Sequence, residues 1–204
     1  IDTSGWAGRG SFGAGNAWLN GKEYVQHVGV IVHEIGHNLG LNHASTWNPE
    51  SDSQPDDANG TQDEYGNLFD VMGDTYSYGE ADSAAKLHFS ASRKNALDWL
   101  PDNHVQTVND SYTGRIYAMD QTLVAGRDYA IRIPANKELG GKSNLDYWID
   151  YRSLFPSLSH LSEGALIYTD DATRSWKASN LLDMNPSTET FDDAALTVGH
   201  SFHD

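Results

Sequence analysis

The chain of 204 residues contains no cysteine, so neither a disulfide framework nor a thiolate metal site is available, and the fold must rest on packing, hydrogen bonds and bound metal. Basic residues are scarce: 13 Lys and Arg stand against 29 Asp and Glu, for a formal net charge of −16. Nucleic acid and anionic membrane surfaces would repel such a chain and are not expected as partners, whereas cations are drawn to it. Long apolar runs are missing as well. The longest, residues 28–32, falls far short of the ~20 residues that span a bilayer, and no charged-then-apolar leader opens the chain. Membrane insertion is therefore not expected, and the chain reads as a mature product or a fragment.

What is present is concentrated in one segment, His33-Glu-Ile-Gly-His-Asn-Leu-Gly-Leu-Asn-His43. Residues four apart project from one face of a helix, so His33 and His37 can offer two imidazole nitrogens to a single ion. Glu34, next to His33 and not needed as a ligand, is the candidate general base, able to take a proton from a water and return it to a leaving amine. Gly40 follows where positive φ lets the chain leave the helix and swing back. His43 then arrives as the third ligand. Three protein ligands leave one tetrahedral position open, which distinguishes a catalytic zinc site from a closed structural one. Zn2+ is accordingly the expected cofactor.

This eleven-residue signature resembles that of the metzincin clan of zinc endopeptidases, whose second mark is a tight turn carrying a methionine. Phe69-Asp-Val-Met-Gly-Asp74 matches it, with Met72 placed 29 residues after His43. That turn, followed by Leu87-His-Phe-Ser-Ala-Ser-Arg-Lys-Asn-Ala-Leu-Asp-Trp-Leu100, is similar to the gametolysin-like branch of the clan, which reads Leu-Gly-Trp where this chain has Leu97-Asp98-Trp99. The resemblance implies a secreted metalloendopeptidase that hydrolyses internal bonds of protein or peptide substrates, with Met72 supporting the ligands from below. The clan also uses a tyrosine two residues past the methionine to hydrogen-bond the oxyanion. Here Asp74 holds that place, and Tyr76 is the candidate for the role.

Periodicity divides the chain in two. Apolar positions Val25, Val28, Val32, Ile35 and Leu39 predict a helix over residues 23–39 that ends at Gly40. Upstream, Gly10-Ser-Phe-Gly-Ala-Gly-Asn-Ala-Trp-Leu19 reads as a strand edge or as a glycine-rich loop. The resemblance marks Gly13, Ala14, Gly15 and Asn16 there as the edge that binds the substrate backbone as an added strand. Residues 44–68 are polar and aperiodic and predict a long loop. Asp56, Asp57, Asp63 and Glu64 in it are candidate oxygen ligands for Ca2+, weighed against a solvated acidic loop. A second helix is expected over residues 84–100, stopped by Pro101.

From Val105 the pattern turns to period two, with strands expected at 115–119, 129–133, 145–151, 165–168, 181–184 and 196–202. The expected fold class is thus α+β: a metzincin-type zinc-protease core over residues 1–104, followed by a β-rich, sandwich-like domain over 105–204. Only 32 residues precede His33, fewer than the clan carries there. The resemblance therefore implies that the core's upstream sheet is lost or lies on a separate fragment of the same precursor, which would be a partner; the rival expectation is a naturally minimal metzincin. A rival from another class is a non-catalytic binding module with a structural zinc. Glu34 argues against it, because a structural site needs no adjacent base.

Overall fold

Strands that are apolar on both faces organise most of the molecule. In β7 (Lys142–Asp150) and β8 (Gly164–Asp171) successive side chains point to opposite sides, yet neighbours such as Tyr147 and Trp148 are both buried. Trp148, Leu166 and Tyr168 join a cluster with Phe69, Ala91 and Leu100, whereas Leu145, Tyr147 and Ile167 join another with Trp47 and Leu182. Such a sheet requires cover on both faces. The computed structural model describes residues 6–21, 27–50, 54–73, 88–154, 164–171, 179–188 and 190–203.

The other described elements are β1 (Gly8–Gly10), β2 (Ala17–Leu19), α1 (Val28–Asn38), β3 (Ala44–Asn48), β4 (Thr61–Asp63), α2 (Ala91–Ala96), a 3-10 turn (Asp102–His104), β5 (Val105–Thr107), β6 (Ala130–Leu139), β9 (Ser179–Leu182) and β10 (Leu196–Thr197). Eight strands form one mixed sheet in the order β4-β3-β9-β8-β7-β6-β5, with β10 added alongside β8. The β3 strand runs parallel to β9, Ala44 lying opposite Ser179 and Trp47 opposite Leu182. The β5 strand runs parallel to β6, and the remaining pairs are antiparallel. β1 and β2 form a separate hairpin.

This architecture corrects the expected α+β class. The fold is predominantly β, with only two α-helices among the described residues, and its strands do not close into a sandwich appended to a helical core. The reason lies in the pairing. The segment after His43, expected to be a loop, supplies β3 and β4, and β3 inserts its backbone next to β9. Trp47 then buries its ring against Leu145, Tyr147 and Leu182 on the same sheet face. Residues 115–119 are not a strand. They make single backbone bonds, Tyr117 N–H to Asp128 O and Met119 N–H to Tyr151 O, rather than a ladder. The expected helix over 84–100 is described only at Ala91–Ala96. It ends where Asp98 adopts φ 58° and the N–H groups of Trp99 and Leu100 turn back to Lys94 O. Its residues 84–87 lie outside the described residues, as do 23–26 of the first expected helix.

Polar ties connect sheet and helices. Asp150 Oδ2 accepts the Ala91 N–H at 3.0 Å, Ser92 Oγ donates to Asp170 Oδ2 at 2.6 Å, and Arg152 donates to Phe69 O. A fully buried large apolar side chain contributes about 1.5–3 kcal/mol and a net hydrogen bond about 1 kcal/mol. The clusters therefore dominate stability, while the ties fix where α2 and the turn around Met72 sit on the sheet.

Candidate metal centre

α1 carries His33, Glu34 and His37, with Gly29, Val30, His33, Glu34 and Gly36 buried. Gly40, at φ 91°, takes the left-handed conformation open to glycine, and the Leu41 N–H bonds back to Gly36 O at 2.9 Å. The chain then returns, and His43 meets the two helical histidines. Ring centroids lie 4.9 Å apart for His33 and His37, 5.3 Å for His33 and His43, and 4.8 Å for His37 and His43. One nitrogen from each ring lies within 4.8 Å of the others, the separation at which three imidazoles can share an ion.

The tautomers follow from the partners. His33 Nδ1 faces Val71 O at 3.0 Å, His37 Nδ1 faces Leu41 O at 2.8 Å, and His43 Nδ1 faces Glu64 Oε1 at 2.8 Å. Each partner only accepts, so each Nδ1 carries a hydrogen, and in the neutral ring Nε2 keeps its lone pair. Burial, reinforced by repulsion from His37, lowers the His33 pKa from 6.5 to about 4. Burial likewise lowers that of His37. Both rings are neutral bases near pH 7, as metal ligation requires.

Glu34 is 6% exposed. Burial raises its pKa and the Gly10 N–H opposes the rise. Its Oε2 is buried with no hydrogen-bond partner, an arrangement that normally signals a missing ligand or water. β1 packs directly on this residue: a Cβ at Gly8 would lie 2.5 Å from Glu34 Oε1 and one at Gly10 2.4 Å from Glu34 O. Only glycine permits that approach. On the opposite side of α1, a Cβ at Gly36 would lie 2.2 Å from Met72 Sδ, so the fully buried methionine lies against the helix between the two helical histidines.

The third histidine is held by a residue that sequence reasoning did not single out. Arg93 of α2, 4% exposed, donates from Nη1 to Asn42 O at 2.5 Å and from Nη2 to His43 O at 2.8 Å. Its Nε lies 3.6 Å from Asp70 Oδ2, and Asp70 also accepts the N–H groups of Met72 and Ser90. One buried ion pair thus ties the methionine turn to the loop bearing His43. Tyr65 was also missed. Its ring centroid lies 4.0 Å from that of His43 and 6.3 Å from that of His33. Period and spacing carry no signal for either residue, because both act from segments brought near only by the sheet. The Gly-x-Gly pattern at Gly8 and Gly10 was the one visible sign of close backbone approach.

The other expected site residues are not gathered here. Gly13, Ala14, Gly15 and Asn16 form the exposed turn joining β1 to β2. The turn is fastened to α1 by the Gly13 N–H to His37 O at 2.8 Å and by Asn38 Nδ2 to Asn16 O at 2.7 Å. Tyr76 lies outside the described residues, as does Asp74. Of the four carboxylates considered for calcium, Asp56 is buried against Lys137 and Tyr147, Asp57 caps the Asn59 N–H, Asp63 is exposed on β4, and Glu64 bonds His43. Among the described residues, the three histidines are the one group positioned to hold a metal.

Comparison of the chain with protein-family models, with curated proteins and with solved structures finds no match.

Proposed function

We propose that the protein is a secreted zinc-dependent metalloendopeptidase that hydrolyses internal peptide bonds. One observation carries the reading: three imidazoles converge with every Nδ1 bonded away from the centre, beside a buried carboxylate whose Oε2 has no partner. His33, His37 and His43 would hold the ion. Bound there, zinc would supply Lewis acidity, lowering the pKa of a water to about 7 and polarising the scissile carbonyl.

The chain's own groups do the rest. Glu34, its proton affinity raised by burial, takes the proton of the attacking water and passes it to the leaving amine. The Gly10 N–H fixes the carboxylate while leaving Oε2 free for that exchange. No covalent acyl-enzyme is required. The base adjacent to the ligands favours catalysis over a structural metal, since nothing else in the site satisfies Oε2.

The test is cleavage of reduced casein by the intact chain, with a chelator-treated sample and Glu34→Ala alongside. Cleavage lost in both controls, while Glu34→Ala still binds one zinc, is the expected result. A Glu34→Ala variant within tenfold of wild type would remove the base assignment, because a general base contributes about 10²–10⁴-fold.

A further inference from the structure

The three imidazoles differ in what orients them. His33 and His37 ride on α1 and bond main-chain carbonyls. His43 stands on the loop after Gly40 with its side chain 20% exposed, and its Nδ1 partner is a side chain, the carboxylate of Glu64. That carboxylate is 70% exposed, which by itself makes a weak tether. Its backbone, however, is anchored by a directed chain of hydrogen bonds. Lys142 Nζ donates to Gln62 Oε1 at 2.5 Å, Gln62 Nε2 to Ser45 Oγ at 2.7 Å, and Ser45 Oγ to Glu64 O at 3.0 Å. Half-buried Lys142 also interacts electrostatically with the Glu64 carboxylate. The next residue, Tyr65, lays its ring against His43 at 4.0 Å. Glu64 and Tyr65 therefore hold the edge and the face of one imidazole.

These side chains wall an open cleft of about 430 Å³ formed by Asn42, His43, Ser45, Gln62, Glu64 and Lys142. Glu64 reaches His43 from this polar side, so water can compete for the imidazole whenever the carboxylate is removed. An anionic acceptor at Nδ1 also increases the electron density at Nε2, which a neutral acceptor does less well.

We propose that Glu64 is a positioning residue for the metal centre, setting the orientation and ligand strength of His43 from the end of the Lys142-Gln62-Ser45 chain; the inference rests on the metal-site reading above. Partners of this kind typically change metal affinity by about 10–100-fold. Because Glu64 is exposed, its removal leaves no buried cavity, and the metal-free fold should keep its stability.

The experiment uses the full chain as wild type, Glu64→Ala, Glu64→Gln and the charge-matched control Glu138→Ala, which alters an exposed side chain on β6. Zinc affinity is read by competition with a chromogenic chelator, ligand geometry by the visible spectrum of the cobalt(II)-loaded protein, and metal-free stability by urea unfolding. Expected are a 10–100-fold weaker zinc affinity and an altered cobalt spectrum for Glu64→Ala, a smaller loss for Glu64→Gln, wild-type affinity for Glu138→Ala, and equal metal-free stabilities. Wild-type affinity and spectrum in Glu64→Ala, with one zinc bound by the wild type, would overturn the role of Glu64 and leave the metal site standing. An equal loss in Glu138→Ala, or a metal-free Glu64→Ala that is itself destabilised, would also overturn it, by assigning the effect to bulk charge or to the fold. A wild-type chain that binds no zinc would overturn both readings.

Discussion

Gly36→Ala sets helix propensity against packing beneath the three-histidine cluster. In the middle of a helix, alanine is ordinarily favoured over glycine by roughly 0.5–1 kcal/mol. At position 36 the added Cβ would lie 2.2 Å from Met72 Sδ, 3.2 Å from Met72 Cε and 3.3 Å from Phe89 Cε1. Met72 is fully buried among Leu41, Ala44, Val71 and Phe89, so its thioether can move only by displacing other packed groups. Overpacking costs about 1–3 kcal/mol, and an approach of 2.2 Å to a fully buried group places this site in the upper half of that range. About 2–3 kcal/mol less the propensity gain leaves a net loss of about 1–2.5 kcal/mol. Met72→Ala alone should cost about 2–5 kcal/mol through the cavity it opens. Combined, the alanine at 36 enters the space vacated at 72, and the double variant should be more stable than the sum of the singles by at least about 1 kcal/mol. Urea unfolding of the metal-free proteins measures all four corners of the cycle. A Gly36→Ala variant as stable as wild type, or strict additivity in the cycle, would refute the packing argument. Zinc affinity should fall in Gly36→Ala as well, because His33 and His37 ride on the helix that must shift.

Other perturbations probe different parts of the scaffold. Arg93→Met removes the clamp on Asn42 O and His43 O and leaves Asp70 without its cation; we expect a loss of about 3–5 kcal/mol by urea unfolding, and an unchanged midpoint would show that the pair holds nothing. Asp98→Gly should stabilise by about 0.5–1 kcal/mol in thermal unfolding, since exposed Asp98 sits at φ 58° with no side-chain role to lose; a lower Tm would contradict this. Burial raises the Asp170 pKa from 3.8 to about 6. Its contribution to stability is therefore fully present below pH 3.8 and lost as pH rises through about 6, a change of roughly 3 kcal/mol. Asp170→Asn, which does not ionise, should improve relative to wild type by up to that amount between pH 4 and pH 7.5, and a stability difference that is constant with pH would show that the carboxyl does not titrate in this range.

The convergence of the three histidines was legible because its signals are local. His33, His37 and the positive-φ Gly40 depend on helix geometry and on one glycine, and these are encoded within eight consecutive residues. The strands near 130–133, 145–150 and 165–168 were legible for the same reason, since alternation reports a strand whatever it pairs with. Alternation does not report partners. Nothing in Ala44–Asn48 announces that it pairs with Ser179–Leu182, some 135 residues later, so the expected loop became the link that merges the chain's two halves into one sheet. The aperiodic polar run likewise concealed β4, whose three exposed residues gain regularity only from pairing with β3.

The sequence by itself determined which side chains are the candidates for binding a metal and moving a proton, because side-chain chemistry and helical spacing need no tertiary partner. The tertiary structure decided what holds those atoms in place: Arg93 on the His43 carbonyl, Glu64 on the His43 ring, Met72 against Gly36, and Gly8 and Gly10 against Glu34. Each of these contacts joins residues at least 21 positions apart. Contacts of such separation exist only once distant segments have packed together, the β1–β2 hairpin and the methionine turn on α1, and α2 on the main sheet, which no local preference brings about.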